Sequence, residues 1–153
     1  MSSLFAFLAY DPAQYPLNNN DWAFPLCEII HILGFALSIG TIAIVDLSLM
    51  GVGVKRSKPS EILKDTAPWT LVGLAVMLIS GPLIFSSDPN MYLRNMSFRF
   101  KLVMLAIAIL YNYTVHRMVA KSDPAPAVGI PVGVLSMALW ASVVAGGLFI
   151  AFI

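Results

Sequence analysis

Glu28, His31 and Asp46 interrupt an otherwise apolar stretch over residues 22–53, and Lys101 and His116 flank the uncharged run from Leu102 to Val115. An imidazole, a carboxylate or a lysine amine held in apolar surroundings can ligate a metal, hold a cofactor's carboxylates or carry a proton. Helical periodicity decides which of them can act together. At 100° per residue, Glu28, His31, Gly34, Phe35, Ser38, Ile42, Val45 and Asp46 fall within about 60° of the His31 direction, on one stripe. Gly34 and Ser38 on that stripe leave room for another helix backbone or for a flat ligand such as a porphyrin. Lys101, Leu105, Ala108, Asn112 and His116 form a second stripe, with Arg99 nearly opposite Lys101.

Several chemistries are set aside by residue counts. Glu28-x-x-His31 has the spacing of a carboxylate-bridged di-iron half-site, but that architecture needs further glutamates and the chain has only Glu28 and Glu61. Cys27 is the single cysteine, so no intramolecular disulfide or CxxC metal motif exists. The eight methionines show no Met-x-x-Met clustering and read as core filling. No Ser/His/Asp set, phosphate loop or zinc motif is present, and no catalytic step can be assigned.

The elements that position these residues are membrane helices. The chain of 153 residues is 59% hydrophobic and 11% charged, with mean hydropathy +0.84, which excludes an ordinary soluble enzyme. Four spans, near 22–53, 67–87, 97–120 and 128–153, use roughly 80 residues and leave only short tails and loops. The expected fold is all-α: an integral membrane four-helix bundle forming a single transmembrane domain over 1–153, with an interfacial segment at Met1 to Tyr10. Asn18, Asn19, Asn20 and Asp21 are candidate caps for the first span, and Gly81-Pro82 marks a kink near the end of the second. No signal peptide is read at the start. Trp22, Trp69 and Tyr92 read as interface anchors, and Trp140 as a packed residue.

Charge places the partners and the topology. A net charge of +1, with no basic tail, argues against nucleic acid and toward the lipid bilayer, a cofactor or another protein. Lys55, Arg56, Lys58, Lys64, Arg117 and Lys121 lie on one face and Arg94, Arg99 and Lys101 on the other, so both termini are expected outside the cytoplasm. From a rise of 1.5 Å per residue, His31 and His116 are about 15 Å apart in depth, which argues against both ligating one haem. Asp46 is expected to pair with a loop cation or to cap a helix, and His116 to be interfacial.

The four short-looped helices, the motif Trp22-x-x-Pro25-x-x-Glu28-x-x-His31-x-x-Gly34 and the run Phe98-Arg99-Phe100-Lys101-Leu102 resemble a family of uncharacterised bacterial four-span inner-membrane proteins. More distantly, they are similar to the membrane domain of copper-resistance D proteins and to the haem-dependent four-span protoporphyrinogen oxidases. That resemblance implies haem b on His31, as its metal ligand, with Lys101 at the same site. The places of an arginine late in the first span and a histidine within the third hold Asp46 and Asn112, so the oxidase activity is not carried over. Glu28 or a backbone carbonyl would orient His31, and Lys101 or Arg99 would neutralise a propionate or supply the opposite ligand.

Three readings stay open. In the first, the haem exchanges electrons with quinone or a periplasmic electron carrier near the outer face of the inner membrane. In the second, Glu28, His31 and Asp46 line a cation or proton path. In the third, the chain is an accessory subunit of a larger membrane complex, docking through a face such as Ala138-x-x-x-Ser142-x-x-x-Gly146. A homo-oligomer is neither required nor excluded.

Overall fold

The computed structural model describes residues 11–52 and 57–152; the Met1 to Tyr10 segment, Lys55 and Arg56 lie outside them. Among the described residues there is no strand, and five helices follow a short 3-10 turn at Pro12–Gln14. They are α1 (Ala23–Leu49), α2 (Pro59–Phe85), a short α3 (Pro89–Arg94), α4 (Met96–Lys121) and α5 (Pro126–Leu148). Helices α1, α2, α4 and α5 are each long and apolar enough to cross a bilayer.

Their ends follow from local chemistry. No side chain caps α1, and Asn18, one of the expected caps, instead donates from Nδ2 to the Ser87 carbonyl at 2.9 Å. At the other end Gly51 takes φ +71°, and the Gly51 and Val52 amides donate to the Ser48 and Leu47 carbonyls, a Schellman closure that needs glycine's freedom. Helix α2 begins at Pro59 rather than residue 67, because proline suits the first turn and the Glu61 carboxylate accepts from the Lys58 amide at 3.1 Å. Helix α2 runs through Gly81-Pro82 to Phe85. Asp88 and Asn95 cap α3 and α4 through the Met91 and Phe98 amides. Tyr92, expected as an interface anchor, is buried, its ring tilted against Phe85 and Phe98 at centroid distances of 6.2 and 5.2 Å.

The bundle is turned inside out relative to a soluble protein. Ile29, Ile32, Leu33, Ile79, Leu110 and Val134 point outward, while Ser38, Asp46, Thr70, Ser80, Asn112, His116 and Ser136 are buried. Such a surface fits hydrocarbon, and the buried polar groups act between helices. Helices α1 and α2 pack along their length, as do α4 and α5, and α1 joins the two pairs through α5. Close approach depends on glycines. A Cβ on Gly73 would lie 2.6 Å from the Gly34 carbonyl oxygen, and one on Gly129 would lie 2.6 Å from that of Leu49. The face of α5 turned inward therefore carries Gly129, Gly133, Ser136, Trp140, Val143 and Gly146. Of the small-residue face expected for docking, Gly146 is inside the bundle and Ala138 is exposed.

Closure is uneven. At the end holding the α1–α2 connection, the last turn of α4 reaches α2 and completes the ring. At the other end α1 and the Met96–Tyr111 part of α4 scarcely approach each other, and side chains such as Phe35, Met104 and Leu105 span the gap.

Candidate functional site

Two polar centres lie at opposite ends of α1. Asp46 lies 15 positions after His31, so they are roughly 22 Å apart along the helix.

At the open end, His31 is half-buried and its Nδ1 lies 2.8 Å from Ser80 Oγ on α2. The Ser80 hydroxyl donates to the Val76 carbonyl at 2.7 Å. A hydroxyl has one hydrogen, so the arrangement satisfying all three groups has His31 Nδ1–H donating to Ser80 Oγ; the tautomer is assigned by this donor count. The Nε2 lone pair then faces no hydrogen-bond donor among the described residues. Ser80 Oγ and the Met77 backbone, rather than Glu28, stand against the ring. Glu28 is exposed and near enough to Tyr92 for its charge to act there. Burial pushes the Tyr92 phenol up, and that charge adds to the effect.

Lys101 is half-buried, its Nζ 5.7 Å from the centroid of the Phe35 ring, one turn along α1 from His31. Glycine on α5 gives it room: a Cβ on Gly146 would lie 3.1 Å from Lys101 Cβ. Among the described residues Lys101 has no carboxylate partner, since the one close contact there between a basic side chain and a carboxylate is Asp46–His116. Its charge is close enough to act on His31. The structure thus brings His31 and Lys101 together and leaves Glu28 and Arg99 exposed. The space expected beside Gly34 is filled by Val76 and the Gly73 backbone, so a flat ligand has no room between α1 and α2.

At the closed end, Asp46 Oδ1 and His116 Nε2 are 2.6 Å apart with both side chains 1% exposed. Asp46 therefore pairs with a bundle histidine, not a loop cation, and His116 is a core residue rather than an interfacial one. Counted at 1.5 Å per residue from Trp22 and from Ser97, Asp46 and His116 lie about 36 and 28 Å along their spans, so the rise alone did not pair them. Asn112–His116 forms a π-helical turn, buried at Asn112 and His116, which sequence periodicity did not reveal. Ser136 Oγ, fully buried on α5, lies beside the same carboxylate but short of hydrogen-bonding geometry. Between the centres, Thr41 and Thr70 hydroxyls meet at 2.8 Å across α1 and α2.

Among the described residues no group of three or more His, Cys, Asp and Glu side chains converges. A caged metal ion held by such a set does not fit these residues, whereas porphyrin iron would need only one or two protein ligands, of which His31 could supply one.

Fold and buried polar centres together define an all-α, four-helix membrane bundle. The chain belongs to a family of unknown function, DUF6644, whose family model matches residues 21–153. No curated protein and no solved structure matches, so the likeness to copper-resistance D proteins and the protoporphyrinogen oxidases draws no support from relatives.

Proposed function

We propose that the protein is a haem b-binding electron-transfer protein of the bacterial inner membrane, with His31 Nε2 as an axial ligand. The observation that carries this reading is the chain Val76 carbonyl, Ser80 hydroxyl, His31 Nδ1, which holds the imidazole and supports an Nε2 lone pair that no donor among the described residues meets. Lys101 would pair with a propionate, since its Nζ lies over the Phe35 ring and no carboxylate among the described residues neutralises it. Haem supplies a one-electron iron couple, and the chain's own residues hold and orient it and keep water from it. Arg99, exposed near the start of α4, would meet a propionate only at the surface.

The excess of Lys and Arg around the α1–α2 and α4–α5 connections favours both termini outside the cytoplasm. His31 then lies toward the outer face, where quinone or a periplasmic carrier can exchange electrons. Detergent-purified protein expressed with ample haem precursor should give a b-type difference spectrum on dithionite reduction. His31→Ala should lose it while still inserting in the membrane. Absence of Soret absorbance from the wild-type protein would overturn the proposal.

A further inference from the structure

The closed end carries a second site, independent of His31. His116 Nδ1 and Arg117 Nε are buried and have no hydrogen-bond partner among the described residues. Both residues line a space of about 10 Å³, together with Thr70, Asn112 and Tyr113. That is the volume that admits one water, and a water is stable where two or more polar groups receive it. Two residues that each carry an orphaned polar atom line a space of that size. The π-turn at Asn112–His116 is what brings His116 and Asn112 to the interior while Tyr113 and Arg117 border the space from the outer side.

Polarity in the site is complementary. With His116 Nε2–H donating to the Asp46 carboxylate, Nδ1 is an acceptor, and Arg117 Nε–H is a donor. One water can donate to the first and accept from the second. On its outer side the space adjoins a groove lined by Tyr113, Thr114, Arg117, Met118, Lys121 and Ser122, so Tyr113 and Arg117 are walls of both. The Arg117 guanidinium stands 5.3 Å from the Tyr113 ring centroid, forming the partition. The charged or titratable neighbours of the pair are Arg117, Tyr113 and Tyr111 on α4, whereas α2 and α5 contribute Thr70 and Ser136.

We infer that this space is a water site through which the Asp46–His116 pair takes up a proton from the Lys121 groove. The step balances without any co-reactant. The water passes a proton to Nδ1 and is itself reprotonated from the groove, while Nε2–H moves to the Asp46 carboxylate. The pair ends as a carboxylic acid and the other imidazole tautomer, one proton richer. The ligand is a proton delivered by water, and the pair is its acceptor.

The test uses full-length protein labelled with ¹⁵N-histidine in phosphatidylcholine and phosphatidylglycerol vesicles. Because the chain has two histidines, His31→Gln assigns the His116 signals. Water-edited solid-state NMR should show magnetisation passing from water to His116 Nδ1, and Nε2–H should exchange in D₂O. Ala67→Leu, which fills the space from α2, should abolish that transfer and slow the exchange about tenfold while the Nε2 shift set by Asp46 persists. A wild-type His116 that receives nothing from water overturns the inference even if the Leu variant does not fold. So does unchanged transfer and exchange in the folded Leu variant.

Discussion

His116 is 1% exposed and bonded at 2.6 Å to an equally hidden carboxylate; His31 is half-buried, bonded through one nitrogen to a serine and open at the other. The difference follows from how the helices close around each. At the α1–α2 connection, α1, α2, α4 and α5 all meet, and a charged side chain there survives only with its partner in place. At the opposite end α1 and α4 stay apart, and the polar groups between them are left with unused donors and acceptors. One centre pairs its acid and base with each other and leaves only atoms such as His116 Nδ1 open, whereas at the other Lys101 has no carboxylate partner among the described residues.

The largest expected effect comes from breaking the closed centre. Asp46→Ala strands His116 in the core and should cost about 3–5 kcal/mol, read as lost folded protein in detergent unfolding. The Asp46→Leu, His116→Met double variant, which removes both partners, should recover most of that loss. If the single and double variants unfold alike, the pair is not what holds that end.

Gly73→Ala is next. Its methyl meets the Gly34 carbonyl oxygen at 2.6 Å, so α1 and α2 must separate at a cost of about 1–3 kcal/mol. The same shift should move Ser80 from His31 and weaken haem retention, linking packing to the open centre. Unaltered retention with lowered stability would separate the two.

Ser80→Ala should change stability by only ~0.5–1.5 kcal/mol. Its sharper readout is spectroscopic: a ring no longer fixed by Nδ1 should broaden the ligand-field signals of the bound haem in low-temperature EPR. Spectra identical to wild type would remove Ser80 from the orienting role.

The smallest effect lies outside both centres. Asp123, in a left-handed conformation at φ 47°, accepts from the Ser60 amide and hydroxyl at 2.9 Å each, joining the α4–α5 turn to the start of α2. The Ser60 amide bond holds its carboxyl below the usual range. Its contribution is therefore fully present above the unfolded value of about 3.9 and is lost as pH falls through the lower folded value. Melting midpoints between pH 3 and 7 should fall less steeply at the acid end for Asp123→Asn. An unchanged acid slope would remove the carboxylate from that role.

How much of this was legible depended on whether one helix was enough to read it. The inward stripe of α1 through Gly34, Ser38, Ile42, Val45 and Asp46, and that of α4 through Ala108, Asn112 and His116, followed from 3.6-residue periodicity alone. Partners across helices did not. Ser80 is one hydroxyl among several on α2, and nothing in its spacing identifies it as the group that holds His31. Gly34 was read as room for a ligand or a backbone, and only the position of Gly73 on the neighbouring helix decides for the backbone. The π-turn was invisible because its cause is a local change of pitch rather than a residue type.

The most direct test of the central claim is chemical rescue of the axial ligand. His31→Gly should abolish the b-type reduced-minus-oxidised spectrum, and millimolar imidazole added to the purified variant with haem should restore it. Imidazole added to His116→Gly should leave that variant's spectrum unaltered. A His31→Gly protein that keeps its b-type bands without imidazole would contradict the assignment of His31 as the ligand.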